Sequence, residues 1–141
     1  MTIKIGINGL GRMGRLTLRA ALDSVFTGLD VQFVQSNDPA GDAATMAHLL
    51  NFDSVHGRWQ RQASVEGESV EGESSENESI VVLDETEHRL QHTQNSALED
   101  TDWSACDLVI EASGKFKSKA SLQPYFDQGV RRVLVLSLIH I

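Results

Sequence analysis

Hydrophobic and polar residues alternate at the start of the chain and then change to a helical period. Isoleucines occupy alternate positions of TIKIGIN (2–8), a pattern typical of a β-strand. From Arg12 to about Leu22 the apolar residues recur three and four positions apart, which predicts an α-helix. VQFVQS (31–36) predicts a second strand. The order strand, turn, helix, strand predicts a βαβ unit with a right-handed crossover.

The rest of the chain continues this alternation. Apolar runs predict four further strands, at IVVL (80–83), RLQH (89–92), DLVIEASG (107–114) and RRVLVLS (131–137). Two further helices are predicted, one in 41–52 after Asp42 as the capping residue and one in 118–129, with Pro124 near its first turn and Gly129 at its end. We therefore predict an α/β fold: a Rossmann-type doubly wound parallel sheet with helices on both faces and a small antiparallel hairpin insertion.

Charge is concentrated in one segment. Six glutamates between positions 66 and 78 account for six of the eight net negative charges. The same stretch contains VEGES twice in tandem (65–69 and 70–74), a repeat far shorter than a solenoid unit, which indicates a lengthened surface hairpin. Since no basic face or cationic helix occurs elsewhere, we expect neither a nucleic-acid nor a membrane partner.

Two features bear on the compartment of the protein. The longest strongly apolar run, at 133–141, is too short to span a bilayer, and the first residues lack the pattern of a signal peptide. The single cysteine, Cys106, excludes a disulfide within these residues and fits a reducing environment. We therefore predict a cytoplasmic location.

The segment GINGLGRMGR (6–15) joins the first strand to the first helix with the glycine spacing of a dinucleotide-binding turn. Gly9 permits the tight turn, Gly11 lets the backbone approach a pyrophosphate, and Gly14 lets the helix pack closely on the strand. The free amides of the helix N-terminus, around Arg12 and Met13, favour the negative charge of such a ligand.

An acidic residue is expected where the second strand ends, because it holds the adenosine ribose. Asp38 has this position, 24 residues after Gly14. Its carboxylate can accept from both ribose hydroxyls and would repel a 2′-phosphate, so NAD is favoured over NADP. Strand, turn, helix and acid together predict NAD binding. A glycine turn that serves packing alone is the alternative.

The other candidates for chemistry point to structural roles. Cys106 stands at the entry to a buried strand without a cationic neighbour in sequence, so we interpret it as a core residue and not as a nucleophile. His88 and His92 have the spacing of two metal ligands on a helix, but their RLQH context is strand-like and no third ligand stands out. No metal site is predicted.

Several segments occur in the order found in glyceraldehyde-3-phosphate dehydrogenases, and the resemblance runs from residue 2 to about 135. They are GINGLGRMGR, NDP (37–39), FDSVHG (52–57), EASGKF (111–116) and RRVLV (131–135). Two longer stretches, AGDAATMAHLLNFDSVHGRW (40–59) and LQPYFDQGVRRV (122–133), are most similar to the form encoded beside arsenical exporters. That form is thought to place arsenate where phosphate normally goes.

The resemblance implies a set of cofactor-binding residues. The turn supplies Asn8, Gly9, Gly11, Arg12, Met13 and Gly14; the second strand supplies Asn37 on the adenine side and Asp38 at the ribose; the loop toward the nicotinamide supplies Ser113, Gly114 and Phe116. Two positions depart from the family. Ser96 stands where many members have an arginine near the adenine. After Val135 the family continues with a small or hydroxyl residue and then proline, whereas this chain reads LSLIHI. Ser137 would supply that hydroxyl only with a shift of one residue, and we assign it no contact with the cofactor.

The resemblance also implies an activity for the intact enzyme. A cysteine thiolate attacks the aldehyde of a triose phosphate, a hydride passes to NAD, and phosphate or arsenate opens the thioester with a histidine as base. That cysteine and histidine belong to segments that this sequence lacks, so we assign no catalytic residue. We interpret residues 1–141 as the NAD-binding half of a longer enzyme, a homotetramer by resemblance, with the catalytic domain absent and the fragment inactive alone. A stand-alone dinucleotide-binding or sensing module is the alternative.

Overall fold

The computed structural model describes residues 3–23, 31–53, 57–58, 62–66, 79–83, 87–116 and 118–136. Its strands are β1 (Ile3–Asn8), β2 (Val31–Asn37), β3 (Phe52–Asp53), β4 (Gly57–Arg58), β5 (Gln62–Glu66), β6 (Ser79–Leu83), β7 (Glu87–Thr93), β8 (Leu108–Glu111) and β9 (Arg132–Val135). Its helices are α1 (Arg12–Asp23), α2 (Ala43–Asn51) and α3 (Gln123–Asp127), with a 3-10 turn at Leu98–Asp100.

Seven of these strands form one sheet in the order β5-β6-β7-β2-β1-β8-β9. The strands β7, β2, β1, β8 and β9 run parallel, whereas β6 is antiparallel to both of its neighbours, β5 and β7. This arrangement confirms the predicted Rossmann-type α/β fold with a small antiparallel portion. The chain moves outward from β1 to β2 and later returns to place β8 on the other side of β1. Ligands of such sheets bind at the carboxyl ends of the strands near that reversal.

Hydrophobic side chains cover both faces of the sheet. One cluster lies under α1 and α2 and is formed by Ile5, Ile7, Leu10, Leu18, Phe33, Ala43, Met46, Ala47, Leu50, Ala63, Ile80, Leu90 and Ile110. The other lies under α3 and is formed by Leu98, Trp103, Cys106, Val109, Leu122, Tyr125 and Val130. Neighbouring residues of β8 therefore belong to opposite clusters, as the two-residue period of a strand requires.

Gly6 of β1 faces the second cluster and lets an indole lie against the sheet. A Cβ at this position would be 2.7 Å from Cys106 Sγ and 2.9 Å from two carbons of Trp103. Trp103 in turn meets Tyr125 edge to face, with 5.5 Å between ring centroids. The close approach of this aromatic pair thus requires glycine at position 6 of the strand.

The boundaries of several elements differ from the predicted ones. The strand from 107 ends at Glu111 and not at 114, and the helix expected in 118–129 begins at Gln123, with Pro124 in its first turn as predicted. Ser118 and Ser121 form the preceding turn through reciprocal side-chain bonds of 3.1 Å. Such local bonds compete with helical ones.

The sequence did not predict β3, β4 and β5. Strands β3 and β4 are only two residues long, and β5 pairs with β6, which is distant in sequence. Glu66 of β5 pairs with Ser79 of β6 in an antiparallel ladder, and the surface hairpin predicted for the duplicated VEGES segment (65–74) would join these two strands. Most of that segment lies outside the described residues.

Asp42 caps α2 as predicted, by accepting from Thr45 N at 2.8 Å. Within the described ranges, no helix has the length and apolarity needed to cross a bilayer.

Candidate functional site

The glycine turn begins where β1 ends and lies against the end of β8. Gly9 has φ +98°, and its N–H donates to the carbonyl of Asn37 at 2.7 Å. A Cβ on Gly9 would lie 2.6 Å from the backbone nitrogen of Ser113. The left-handed backbone and the lack of space for a side chain both require glycine at this position, where the sequence predicts a tight turn.

Gly14 and Gly11 have different surroundings. A Cβ at Gly14 would overlap the carbonyl oxygen of Gly9, so the start of α1 packs directly on the turn that follows β1. A Cβ at Gly11 would have no protein atom within 4 Å. Gly11, Arg12 and Met13 are exposed, and the first amides of a helix have no acceptor within that helix. The main chain at this point is therefore open to an anionic group.

Asp38 joins the end of β2 to the glycine turn. Its side chain is only 8% exposed. Oδ2 accepts from Leu10 N at 2.7 Å, and Oδ1 accepts from Ala40 N at 2.8 Å. Since a carboxylate oxygen has two acceptor sites, each oxygen can accept one more hydrogen bond, for example from a hydroxyl. The acid predicted at this position is thus held beside the turn with capacity for a ligand.

The side chain of Asn37 is buried and uses its hydrogen bonds within the protein. Oδ1 accepts from Thr93 Oγ1 at 2.6 Å, from Asn95 N at 2.9 Å and from Thr101 Oγ1 at 3.1 Å. Nδ2 donates to Asn8 Oδ1 at 2.8 Å and to the carbonyl of Asn95 at 2.9 Å. Both amide hydrogens are thereby engaged, so this side chain has no donor left for an adenine.

Glu111 ends β8 as a fully buried carboxylate with four donors around it. Oε1 accepts from the backbone N of Ser113 at 3.1 Å and from its hydroxyl. Oε2 accepts from Asn8 Nδ2 at 2.8 Å and from the hydroxyl of Tyr125. Burial, then the charge of Glu111 and the hydrogen bond to it, raise the pKa of Tyr125, so the phenol stays a donor.

Sequence reasoning gave Glu111 no role. One feature of the sequence could have singled it out, since an acidic residue ends the apolar run LVIE (108–111). A charged side chain in a buried strand requires hydrogen-bond donors around it.

The other predicted site residues lie in two loops. Ser113 is next to Gly9, Gly114 is exposed with φ +78°, and Phe116 packs against the second hydrophobic cluster. Ser96 is exposed in the loop after β7. Ser137 lies outside the described residues. The structure therefore brings Ser113 to the glycine turn and leaves Phe116 anchored on the α3 face of the sheet.

Cys106 is buried in the second cluster, as predicted. Burial, followed by the negative charges of Asp107 and Asp102, raises the pKa of the thiol to about 12. The thiolate, which is the nucleophilic form, is therefore scarce at neutral pH.

His92 lies in strand β7, which confirms the strand-like context of the histidine pair. It is fully buried, with Nδ1 at 2.8 Å from Ser36 Oγ and Nε2 at 2.9 Å from the carbonyl of Gly41. A carbonyl only accepts, so Nε2 carries a proton. The side chain of His88 lies outside the described residues. No group of three acidic, histidine or cysteine side chains suited to a metal ion occurs in the described parts of the chain.

Comparisons with known proteins agree with this geometry. The family model described as "Glyceraldehyde 3-phosphate dehydrogenase, NAD binding domain" matches residues 3–119. Glyceraldehyde-3-phosphate dehydrogenase 3 of a Nostoc species is 43% identical over 137 residues, which is 96% of this chain and 36% of the relative. The glyceraldehyde-3-phosphate dehydrogenases of Lactobacillus delbrueckii subsp. bulgaricus and Geobacillus stearothermophilus are 36% and 34% identical, over 96% of this chain and 37% and 36% of their own length.

The chain thus spans little more than a third of the length of these relatives. The predicted cofactor, NAD, is the one that the family description names. Matched over most of its length, the chain belongs to the glyceraldehyde 3-phosphate dehydrogenase NAD-binding domain family, as its sequence motifs predicted.

Proposed function

We propose that this chain binds NAD at the carboxyl edge of its parallel sheet. The turn from Asn8 to Gly14 holds the pyrophosphate with its main-chain amides, and Asp38 accepts from the adenosine ribose. The observation that carries the proposal is the bond of 2.7 Å from Leu10 N to Asp38 Oδ2. It supports the proposal because it fixes the acid next to the exposed start of α1, where a dinucleotide needs both groups.

The loop after β8 completes the proposed site. Ser113 and Gly114 line the path toward the nicotinamide, and Phe116 belongs to the same loop. Gly9 is held against Ser113, so the phosphate end and the nicotinamide end of the cofactor would share one rigid support. The contribution of these residues to hydride transfer is orientation and proximity.

We infer that the chain holds the cofactor but does not oxidise an aldehyde by itself. Its only cysteine is Cys106, whose buried thiol has a pKa raised to about 12. For the whole protein, we propose oxidation of a triose-phosphate aldehyde with hydride transfer to NAD and acyl transfer to phosphate or arsenate. Homotetramer formation, a cytoplasmic location and the likeness to the form found beside arsenical exporters stay predictions from the sequence.

Fluorescence titration of the 141-residue chain with NADH and NADPH tests the site. We expect the wild-type chain to bind NADH. Asp38→Asn should weaken NADH binding about tenfold and reduce the preference for NADH over NADPH, because the charged acceptor is lost. Asp42→Asn is the matched control, since it removes a nearby exposed charge at a capping position that asparagine also suits. A folded chain that binds no NADH, or an Asp38→Asn variant with wild-type affinity, would contradict the proposal.

A further inference from the structure

Four parallel strands end in polar side chains that bond to one another across the edge of the sheet. The last residues of β7, β2, β1 and β8 are Thr93, Asn37, Asn8 and Glu111, and each lies opposite the next in register. The three bonds that join them measure 2.6, 2.8 and 2.8 Å. We call these four residues the carboxyl-edge ladder.

In each of the three bonds of the ladder the donor is the residue farther from Glu111, and the acceptor is the nearer one or Glu111 itself. Both asparagines accept with the amide oxygen on the β7 side and donate with the nitrogen on the β8 side. One end is fixed because the backbone N–H of Asn95, which can only donate, binds Asn37 Oδ1 at 2.9 Å. The other end is fixed because an ionised carboxylate can only accept. The two ends together determine how both amides are oriented.

The ladder ends at the two segments proposed to hold NAD. Asn8 is followed directly by the glycine turn, and its carbonyl accepts from Ala112 N at 2.7 Å. Glu111 holds Ser113 through both the backbone N–H and the hydroxyl. One buried carboxylate therefore fixes the start of the turn and the start of the loop after β8.

We propose that Glu111 is a positioning residue for NAD binding, which acts as the terminal acceptor of the carboxyl-edge ladder and thereby orients Asn8 and Ser113. It does not contact the cofactor itself. This inference rests on the NAD site proposed above. Tyr125, the fourth donor to Glu111, belongs to α3 and is not part of the ladder.

Glutamine at position 111 would keep the size of the side chain but replace one acceptor with a donor. If its nitrogen faces Ser113, it meets a backbone N–H that cannot accept. If its nitrogen faces Asn8, it meets Asn8 Nδ2, and turning that amide over would set its nitrogen against Nδ2 of Asn37. Either orientation leaves a donor opposite a donor in a buried site.

The test uses two measurements on the 141-residue chain, of which the first needs no cofactor. The side-chain amide signals of Asn8 and Asn37 are followed by ¹H–¹⁵N NMR, and affinity is measured by NADH fluorescence. We expect Glu111→Gln to shift the Asn37 signals, two strands away, and to weaken NADH binding about tenfold. Tyr125→Phe is the matched control: it removes a donor to the same carboxylate, lowers thermal stability, and leaves the Asn37 signals and NADH affinity unchanged.

Unshifted Asn37 signals in folded Glu111→Gln would overturn the ladder. Equal losses of affinity in both variants, following stability alone, would overturn the positioning role. If the wild-type chain binds no NADH although the Asn37 signals respond as expected, the proposed NAD site fails and the ladder is supported. Should Glu111→Gln not fold, Glu111→Asp retains the charge but shortens the reach to Asn8. Smaller shifts in the same signals are then expected, and their absence overturns the ladder.

Discussion

Replacing Gly14 with alanine tests whether the glycine turn is as closely packed as the structure shows. A Cβ at this position would lie well inside 3.0 Å of the Gly9 carbonyl oxygen and 3.0 Å from its carbon. The obstacle is main chain and not a flexible side chain. Gly9 cannot yield easily, because its own N–H is bound to the carbonyl of Asn37 at 2.7 Å. Either α1 or the turn must therefore move.

The expected cost follows from two opposing effects. Overpacking a closed site costs about 3 kcal/mol at the upper end of its usual range, and this overlap belongs there. Alanine has a higher helix propensity than glycine, which stabilises the folded chain by about 1 kcal/mol and offsets part of that cost. We therefore expect Gly14→Ala to lower the free energy of unfolding by about 2 kcal/mol and the midpoint of thermal unfolding by about 6–8 °C. NADH affinity falls as well, because the start of α1 shifts.

Urea unfolding followed by circular dichroism measures the stability, and NADH titration measures the affinity. Gly11→Ala is the matched control, because its Cβ would have no protein atom within 4 Å. Its free energy of unfolding should change by less than about 0.5 kcal/mol, whereas its affinity should fall, since the methyl group would lie where the pyrophosphate approaches. Wild-type stability of Gly14→Ala, or equal destabilisation of both variants, would refute the packing argument.

Two further predictions concern capping and thiol chemistry. Asp42→Ala should destabilise the chain by about 1 kcal/mol at pH 7, because Asp42 caps α2 through Thr45 N. The hydrogen bonds to Thr45 lower the pKa of Asp42 from 3.8, so the part of this difference that depends on the ionised carboxylate should be full above pH 4 and be lost as acid titration passes through the lowered pKa. A difference that keeps its full size there contradicts the assignment. Iodoacetamide at pH 8 should alkylate Cys106 at least about a hundredfold more slowly in the folded chain than in urea, measured by mass spectrometry, because its pKa is raised to about 12. Equal rates would show the thiol to be accessible.

Local patterns accounted for the first half of the site. The strand, the glycine turn and α1 were predictable because the hydrophobic periods and the glycine positions that define them all fall within 21 consecutive residues, from Ile3 to Asp23. Asp38 was predictable because a βαβ unit of ordinary length brings the end of β2 beside that turn. In both cases the partners are near in sequence or separated by one regular crossover.

The role of Glu111 could not be predicted in the same way. Its partner Asn8 is 103 positions away in β1, and its partner Tyr125 belongs to α3. Strand β5 was missed for a related reason, since its pairing with β6 joins residues on either side of the acidic segment. Likewise, nothing local shows that the amide of Asn37 is engaged by Thr93, Asn95 and Thr101. Long-range hydrogen-bond partners leave little trace in periodicity.

The two amide bonds to Asp38 have a consequence for engineering cofactor choice. Acceptance of a 2′-phosphorylated dinucleotide calls for removal of the negative charge, yet that charge also anchors Leu10 and Ala40. A substitute with no acceptor would release both main-chain segments at once, and a looser turn would then be mistaken for poor phosphate recognition. A redesign therefore has to supply neutral acceptors for both amides before it adds a cation for the new phosphate.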